Sequence, residues 1–361
     1  MIAETIIEQM AKSIRYINPV PLKAATGLTA ESYQQMQTDF LPVPLLTLHS
    51  PLPEIMAGVW SILRESLLAG NVDRSAKEAV AATVSKTNEC PFCVDAHTLI
   101  LHANDDHDLA NLIQRGEFDR ISDPQIRSLV NWALANRTPG ASELTTPPFS
   151  HDDAPEIIGT AMTFHYINRM VNVFLGETLL PIPSALKSVT GRLLGAAGKR
   201  FVHHPQPGDS LRLIPQAALP NDLAWAAPNP AVAGAFAGFA QVIETMGGTV
   251  LPEAVRRVVS ERINDWNGET VGISRRWVDE VVDSLIPEQH AASRLALLTA
   301  LASYQVDNSI IDDFRRYYPE NSQLIAVTAW ASWTAARRVG SWLQTPSPAS
   351  NNNQAKAAVF E

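Results

Sequence analysis

Two cysteines, Cys90 and Cys93, stand three residues apart in the segment AKEAVAATVSKTNECPFCVDAHTLI, and the 361-residue chain has no others. His97 follows the second cysteine by four residues, and Glu78 precedes the first by twelve. A disulfide between such close neighbours would do little to constrain an unfolded chain, and a chain this long builds a core without staples. The pair therefore reads as redox chemistry or a metal site. Pro91 disfavours helical geometry at Cys90 and itself suits a first turn, so a helix should begin there. On that helix positions 90, 93 and 97 fall within about 60° of one another, at roughly 100° per residue. The unpaired N–H groups and the positive end of the dipole at the helix start favour thiolate over thiol. His97, one turn below Cys93, can take up or deliver its proton. Glu78, on the preceding helix, can reach His97 and orient the imidazole if the two helices form a hairpin. Two cysteines and one histidine give three ligands where a structural zinc site wants four, and Asp95 points to another face, so no metal is expected.

The elements that must position these residues are helical. From Pro53 to Gly70, apolar residues recur at three- and four-residue steps and Gly70 stops the run. Further helices are expected over Ser75–Asn88, Pro91–Ala103, Asp108–Arg115 (ended by Gly116), Asp123–Asn136 and Glu156–Leu175. No run of alternating strand residues is convincing, so the chain reads as all-α. Residues 1–40 read as an N-terminal arm with a short helix near Ala30–Asp39, and 346–361 as a disordered tail.

The second half echoes the first. SPLPEIMAGVWSILRESLLAG at 50–70 resembles NPAVAGAFAGFAQVIETMGG at 229–248, and AKEAVAATVS at 76–85 resembles LPEAVRRVVS at 251–260. APEIIGTAMTFHYINRMVNVFLG at 154–176 resembles YPENSQLIAVTAWASWTAARRVGSWL at 318–343. The segments keep their order at offsets of about 165–177 residues, which points to a duplicated helical unit packed on itself as a pseudo-dimer. The expected units are 41–180 with the cysteine site and 225–345 as a degenerate copy. Between them 181–224 is a proline-rich linker; its basic residues Lys187, Arg192, Lys199 and Arg200 fit an arm better than a phosphate site. By position Cys90 becomes Asp265, Cys93 becomes Gly268 and His97 becomes Gly272, leaving Glu253 without partners. One active site per chain follows.

The spacing Glu-x11-Cys-x2-Cys-x3-His resembles the signature of the alkylhydroperoxidase D-like branch of the carboxymuconolactone decarboxylase family. FLPVPLLTLHSPLPEIMAG before the site and FHYINRMVNVFLG after it are similar to that family too, over roughly residues 40–180. The resemblance implies an all-helical homo-oligomer (dimer or trimer) with thiol peroxidase or disulfide-exchange activity, used in antioxidant defence. It also implies that Cys93 attacks the peroxide, that Cys90 donates a proton and closes the disulfide, and that Glu78 and His97 form the proton relay. The reductant it implies is a dithiol, either a lipoyl group or a thioredoxin-like protein. The family prototype has a histidine between the cysteines; here Phe92 stands there, which bears on reductant or substrate choice. Thioredoxin-like sites argue the opposite order of attack, since the cysteine nearest the helix start is the more acidic.

Composition narrows the field. Twenty-eight basic and 37 acidic side chains give a net charge of −9, poor footing for nucleic acid or an anionic membrane. No apolar stretch reaches the ~18 residues of a membrane span. The opening segment lacks a continuous apolar region, so no signal peptide is expected and a cytoplasmic location is the default. No glycine-rich phosphate loop follows a strand and no haem or flavin signal is visible; with no cofactor expected, electrons arrive through thiols. His165, Asn168 and Arg169 in FHYINR either line a pocket or, the preferred reading, hydrogen-bond neighbouring loops. His203 and His204 read as exposed linker residues, His102 as lying off the reactive face, and Trp330, Trp333 and Trp342 as core or interface. Two rival functions remain: a relay that reduces only a partner peroxidase, and a decarboxylase-like or ligand-binding protein with incidental cysteines.

Overall fold

The computed structural model describes residues 12–176, 179, 204–343, 345 and 346, and among these the only regular elements are helices. The start of the arm, the basic stretch with Lys187, Arg192, Lys199, Arg200 and His203, and the tail beyond residue 346 lie outside the described residues. The first half runs α1 (Gly27–Asp39), α2 (Pro44–Thr47), α3 (Pro53–Leu63), α4 (Arg74–Thr87), α5 (Pro91–Ala103), α6 (His107–Arg115), α7 (Pro124–Ala135), α8 (Ser142–Thr145) and α9 (Ala154–Phe174). The second half runs α10 (Pro230–Val250), α11 (Glu253–Asp265), α12 (Arg276–Val282), α13 (Pro287–Leu301), α14 (Asn308–Arg315) and α15 (Asn321–Gly340).

Local chemistry sets most of these boundaries. Asp73 caps α4 by accepting from the Ala76 N–H, and Asp123 accepts from Gln125 and Ile126 ahead of Pro124. Gly116 ends α6 in the left-handed region at φ 75°. The run expected to stay α-helical to Gly70 instead widens into a π-helical stretch at Arg64–Leu68. That extra residue in the turn buries both Arg64 and Glu65. Arg64 bonds Asp39 and the Gln206 carbonyl, while Glu65 accepts from Gly208 and Ser210. The segment from Gln206 to Leu213 is thereby docked on the first half, with Leu213 buried.

One apolar core runs through both halves. Its two largest cross-half pairings join α3 to α10 and α9 to α15, which are the segments that the sequence repeat sets over one another. Close approach needs small residues at both contacts. A Cβ on Gly58 of α3 would stand 2.6 Å from the Phe239 ring on α10, and one on Gly340 of α15 would stand 2.5 Å from the Met162 sulfur on α9. Trp330 and Trp333 on α15 are buried, as expected, and Trp342 is partly so. Burial of this scale, at roughly 25 cal/mol per Å² of apolar surface, holds α9 in the centre of the molecule. Helix α9 is buried on all sides except at Asn172, and α4 packs between it and the α5 and α7 helices. A polar side chain on α4 or α9 must therefore find its partner inside.

Candidate active site

Helices α4 and α5 form the hairpin that the relay requires. Three residues join them: Asn88 closes α4, Glu89 turns the chain in the left-handed region at φ 53°, and Cys90 caps α5 ahead of Pro91. The Cys90 N–H donates to the Ser85 carbonyl at 2.9 Å, which ties the turn back to α4. A left-handed residue that is not glycine is uncommon, and here it sits directly before the first cysteine.

The hairpin brings Glu78 to His97. His97 Nδ1 lies 2.5 Å from Glu78 Oε2, and Arg74 Nε donates to Glu78 Oε1 at 2.7 Å. Burial raises the Glu78 carboxyl, but the charges and hydrogen bonds of Arg74 and His97 outweigh it and the net shift is downward. The carboxylate is thus ionised, so His97 Nδ1 carries the hydrogen and, in the neutral ring, Nε2 is the acceptor. The ring packs edge-on against Phe164, with centroids 4.3 Å apart. His97 hydrogen-bonds neither sulfur, so the step from imidazole to thiol is left open among the described residues.

Both cysteines are reduced, each 1% exposed, with the Cys90 thiol donating to Cys93 Sγ at 2.9 Å. The thiolate expected at a helix start is not what burial permits. Desolvation, followed by the neighbouring Cys90 thiol, pushes the Cys93 thiol well above the ordinary cysteine range. A hydrogen bond from Asn168 works in the opposite direction.

Asn168, read from the sequence as a hydrogen-bonding partner of neighbouring loops, belongs to a buried polar network. Asn88 Nδ2 donates to Asn168 Oδ1 at 3.0 Å and to His165 Nδ1 at 3.1 Å. Asn168 Nδ2 donates to Ser85 Oγ at 3.0 Å. The loop-bonding reading of FHYINR therefore describes His165 and Arg169, while Asn168 also reaches a thiol. Arg74 was missed as well, although its place four residues before Glu78 is a helical ion-pair spacing.

Cys90 lines an open cleft of about 220 Å³ with Lys86, Glu89, Pro91, Val94, Asp95 and Gln114. Asp95 faces that cleft and accepts from Gln114, away from the sulfurs. His102 pairs with His107 instead of reaching the thiols. The second half has no equivalent hairpin among the described residues. Asp265 ends α11, and Gly268 and Gly272 lie in the coil before α12 with φ of 88° and 74°.

Comparison with known proteins now places the chain. It is 39% identical over 335 residues to "Alkyl hydroperoxide reductase Rv2159c" of Mycobacterium tuberculosis, covering 92% of this chain and 95% of the relative. The chain belongs to the alkylhydroperoxidase D-like family. No family model and no solved structure matches it. The all-α fold is the one this family membership implies. Among the described residues no helix is long and apolar enough to cross a membrane.

Proposed function

We propose that this alkylhydroperoxidase D-like chain is a thiol-dependent hydroperoxide reductase whose working groups are Cys93, Cys90, His97 and Glu78. The observation that carries the reading is the reduced thiol pair, 2.9 Å apart, one turn from an imidazole held by a buried carboxylate. A disulfide needs sulfurs about 2.05 Å apart, so the pair closes with little backbone movement. The printed name of the Mycobacterium tuberculosis relative supports a peroxide as substrate.

The cycle begins with a proton. Because burial holds Cys93 protonated, His97 Nε2 must take its hydrogen, directly or through one water, while Glu78 balances the imidazolium that forms. Cys93 thiolate then attacks the terminal peroxide oxygen. The O–O bond breaks, the alkoxide takes a proton from His97 and leaves as an alcohol, and Cys93 becomes a sulfenic acid. Cys90 next attacks the Cys93 sulfur; the S–S bond forms and water leaves with the thiol hydrogen. The sum is ROOH plus two thiols giving ROH, water and one disulfide. An external dithiol, lipoyl or thioredoxin-like, attacks Cys90 from the cleft, frees Cys93, and closes its own disulfide as it releases Cys90.

The relay reading, in which the pair only reduces a partner peroxidase, draws support from the near-complete burial of both sulfurs. Steady-state consumption of cumene hydroperoxide with dihydrolipoamide as reductant separates the two. The proposal expects turnover that is lost in Cys90→Ser and Cys93→Ser and depressed in His97→Gln. Disulfide exchange with dihydrolipoamide but no peroxide turnover would leave the relay. Full turnover in the double serine variant would refute both.

A further inference from the structure

Behind the active-site turn, the first half meets the second in a narrow crevice lined by Asn88, Glu89, Arg137, Arg169, Ser303 and Tyr304. Arg169 is 5% exposed, and the acceptors it has are the backbone carbonyls of Ala300 and His165. Its charge has no carboxylate partner among the described residues. Arg137 is half-buried and bridges the halves, donating to the Thr87 and Gly268 carbonyls at 3.0 Å each and lying over the Trp266 ring. Its Nε is buried without a partner. Glu89 and Glu269 act on Arg137 at longer range, and neither forms an ion pair with it among the described residues.

A third buried donor adjoins Arg169, which bonds the His165 carbonyl. Asn88 gives its N–H to His165 Nδ1, so the neutral ring carries its hydrogen on Nε2, and that atom is buried with no partner. Burial, then the charge of Arg137, lowers Arg169 to about 9, and burial with both arginines holds His165 well below its usual range. Buried polar groups are ordinarily satisfied, and buried cations are ordinarily paired. Here two guanidiniums line one crevice, and neither is ion-paired among the described residues.

We propose that this crevice binds a carboxylate group between Arg137 and Arg169. Arginine presents parallel N–H groups that fit a planar carboxylate, and two of them facing one gap supply both charge and orientation. The gap is about 20 Å³, room for one or two oxygen-sized atoms, which suits a carboxylate and is tight for a tetrahedral phosphate. Glu89 lines both this crevice and the cleft at Cys90, so a carboxylate bound here can carry an organic chain over Glu89 toward the thiols. The carboxylate is either a free small acid or the acidic end of a longer molecule.

The test is titration calorimetry of the full-length chain with formate, hexanoate and inorganic phosphate at constant ionic strength. Formate and hexanoate are expected to bind, and phosphate to bind more weakly than either. Arg169→Gln and Arg137→Gln should each weaken the carboxylates by about tenfold or more. Arg137 is the less buried, so its variant keeps the test valid if Arg169→Gln does not fold. Tighter binding of hexanoate than formate, with slower iodoacetamide alkylation of Cys90, would mark the acidic end of a longer molecule. Equal binding without protection would mark a free small acid. Absence of carboxylate binding, binding undiminished in both folded variants, or phosphate preferred over formate would overturn the proposal. None of these readings depends on peroxide turnover.

Discussion

Replacing Glu78 by glutamine tests the relay at its most constrained point. The carboxylate accepts on both oxygens, from Arg74 at 2.7 Å and from His97 at 2.5 Å. Glutamine has one oxygen and one NH2, so one of two buried donors must face another donor. If the NH2 faces Arg74, a buried guanidinium loses its only carboxylate among the described residues. If it faces His97, the ring hydrogen must move to Nε2 and the nitrogen free to accept a proton is lost. Breaking a buried ion pair on one side costs about 3–5 kcal/mol. At about 2 °C per kcal/mol for a chain of this size, the melting temperature should fall by roughly 6–10 °C. Loss of acid–base help should slow peroxide reduction by about 10²–10⁴-fold. Adding Arg74→Met removes the donor conflict and lets the glutamine oxygen accept from His97, so the double variant should regain most of the stability and part of the rate. The folded-state pKa of Glu78 lies below its unfolded value, so its stabilisation is complete above the ordinary carboxylate range and is lost as pH falls through the folded value. The gap in melting temperature between wild type and Glu78→Gln should therefore close in acid. Differential scanning calorimetry and stopped-flow peroxide reduction read both effects. Wild-type rate in Glu78→Gln, with the fold intact, would refute the relay.

Three other outcomes follow from the same contacts. Because Cys93 titrates well above an ordinary thiol, the rate of the first oxidation should climb through neutral pH and keep climbing past ~8.5; a plateau near neutrality, in stopped-flow pH profiles, would contradict the burial argument. Asn168→Leu removes the donor to Cys93 and leaves one Asn88 N–H without its acceptor, while Ser85 Oγ keeps its bond to the Ala81 carbonyl, so it should cost about 1–3 kcal/mol and shift that pH profile upward; urea unfolding and the profile together check it. Gly268→Ala places a Cβ 1.8 Å from the Arg137 carbonyl oxygen at a φ of 88°, so it should destabilise by about 1–3 kcal/mol, read as a lower urea midpoint.

What could be read from the sequence followed the range of the interactions. The helices over 91–103 and 107–115 were legible because their stops and starts, Pro91 and Gly116, act within a turn. The meeting of Glu78 with His97 needed one assumption, a hairpin, and a three-residue connection leaves α4 and α5 little else to do. The π-helical stretch at Arg64–Leu68 was not legible, since its partners Asp39, Gln206 and Ser210 come from distant segments. The thiol state failed for a related reason. Helix position is local and favours thiolate, whereas burial under α9 is tertiary and is the larger effect at Cys93. Asn168 was visible as a polar residue on an apolar helix, but its target lies 75 residues away and no spacing rule connects the two. Arg74 carried a usable signal, a cation four residues before the candidate carboxylate.

The central claim is that Cys93 and Cys90 reduce a peroxide by closing a disulfide, and intact mass tests it most directly. Fully reduced protein mixed with a small excess of cumene hydroperoxide should lose two hydrogens, at a rate well above that of a free thiol. In Cys90→Ser the same reaction should stop at one added oxygen, the Cys93 sulfenic acid, and Cys93→Ser should stay unchanged. Conversion no faster than a free thiol, or equal conversion in Cys93→Ser, would contradict the account.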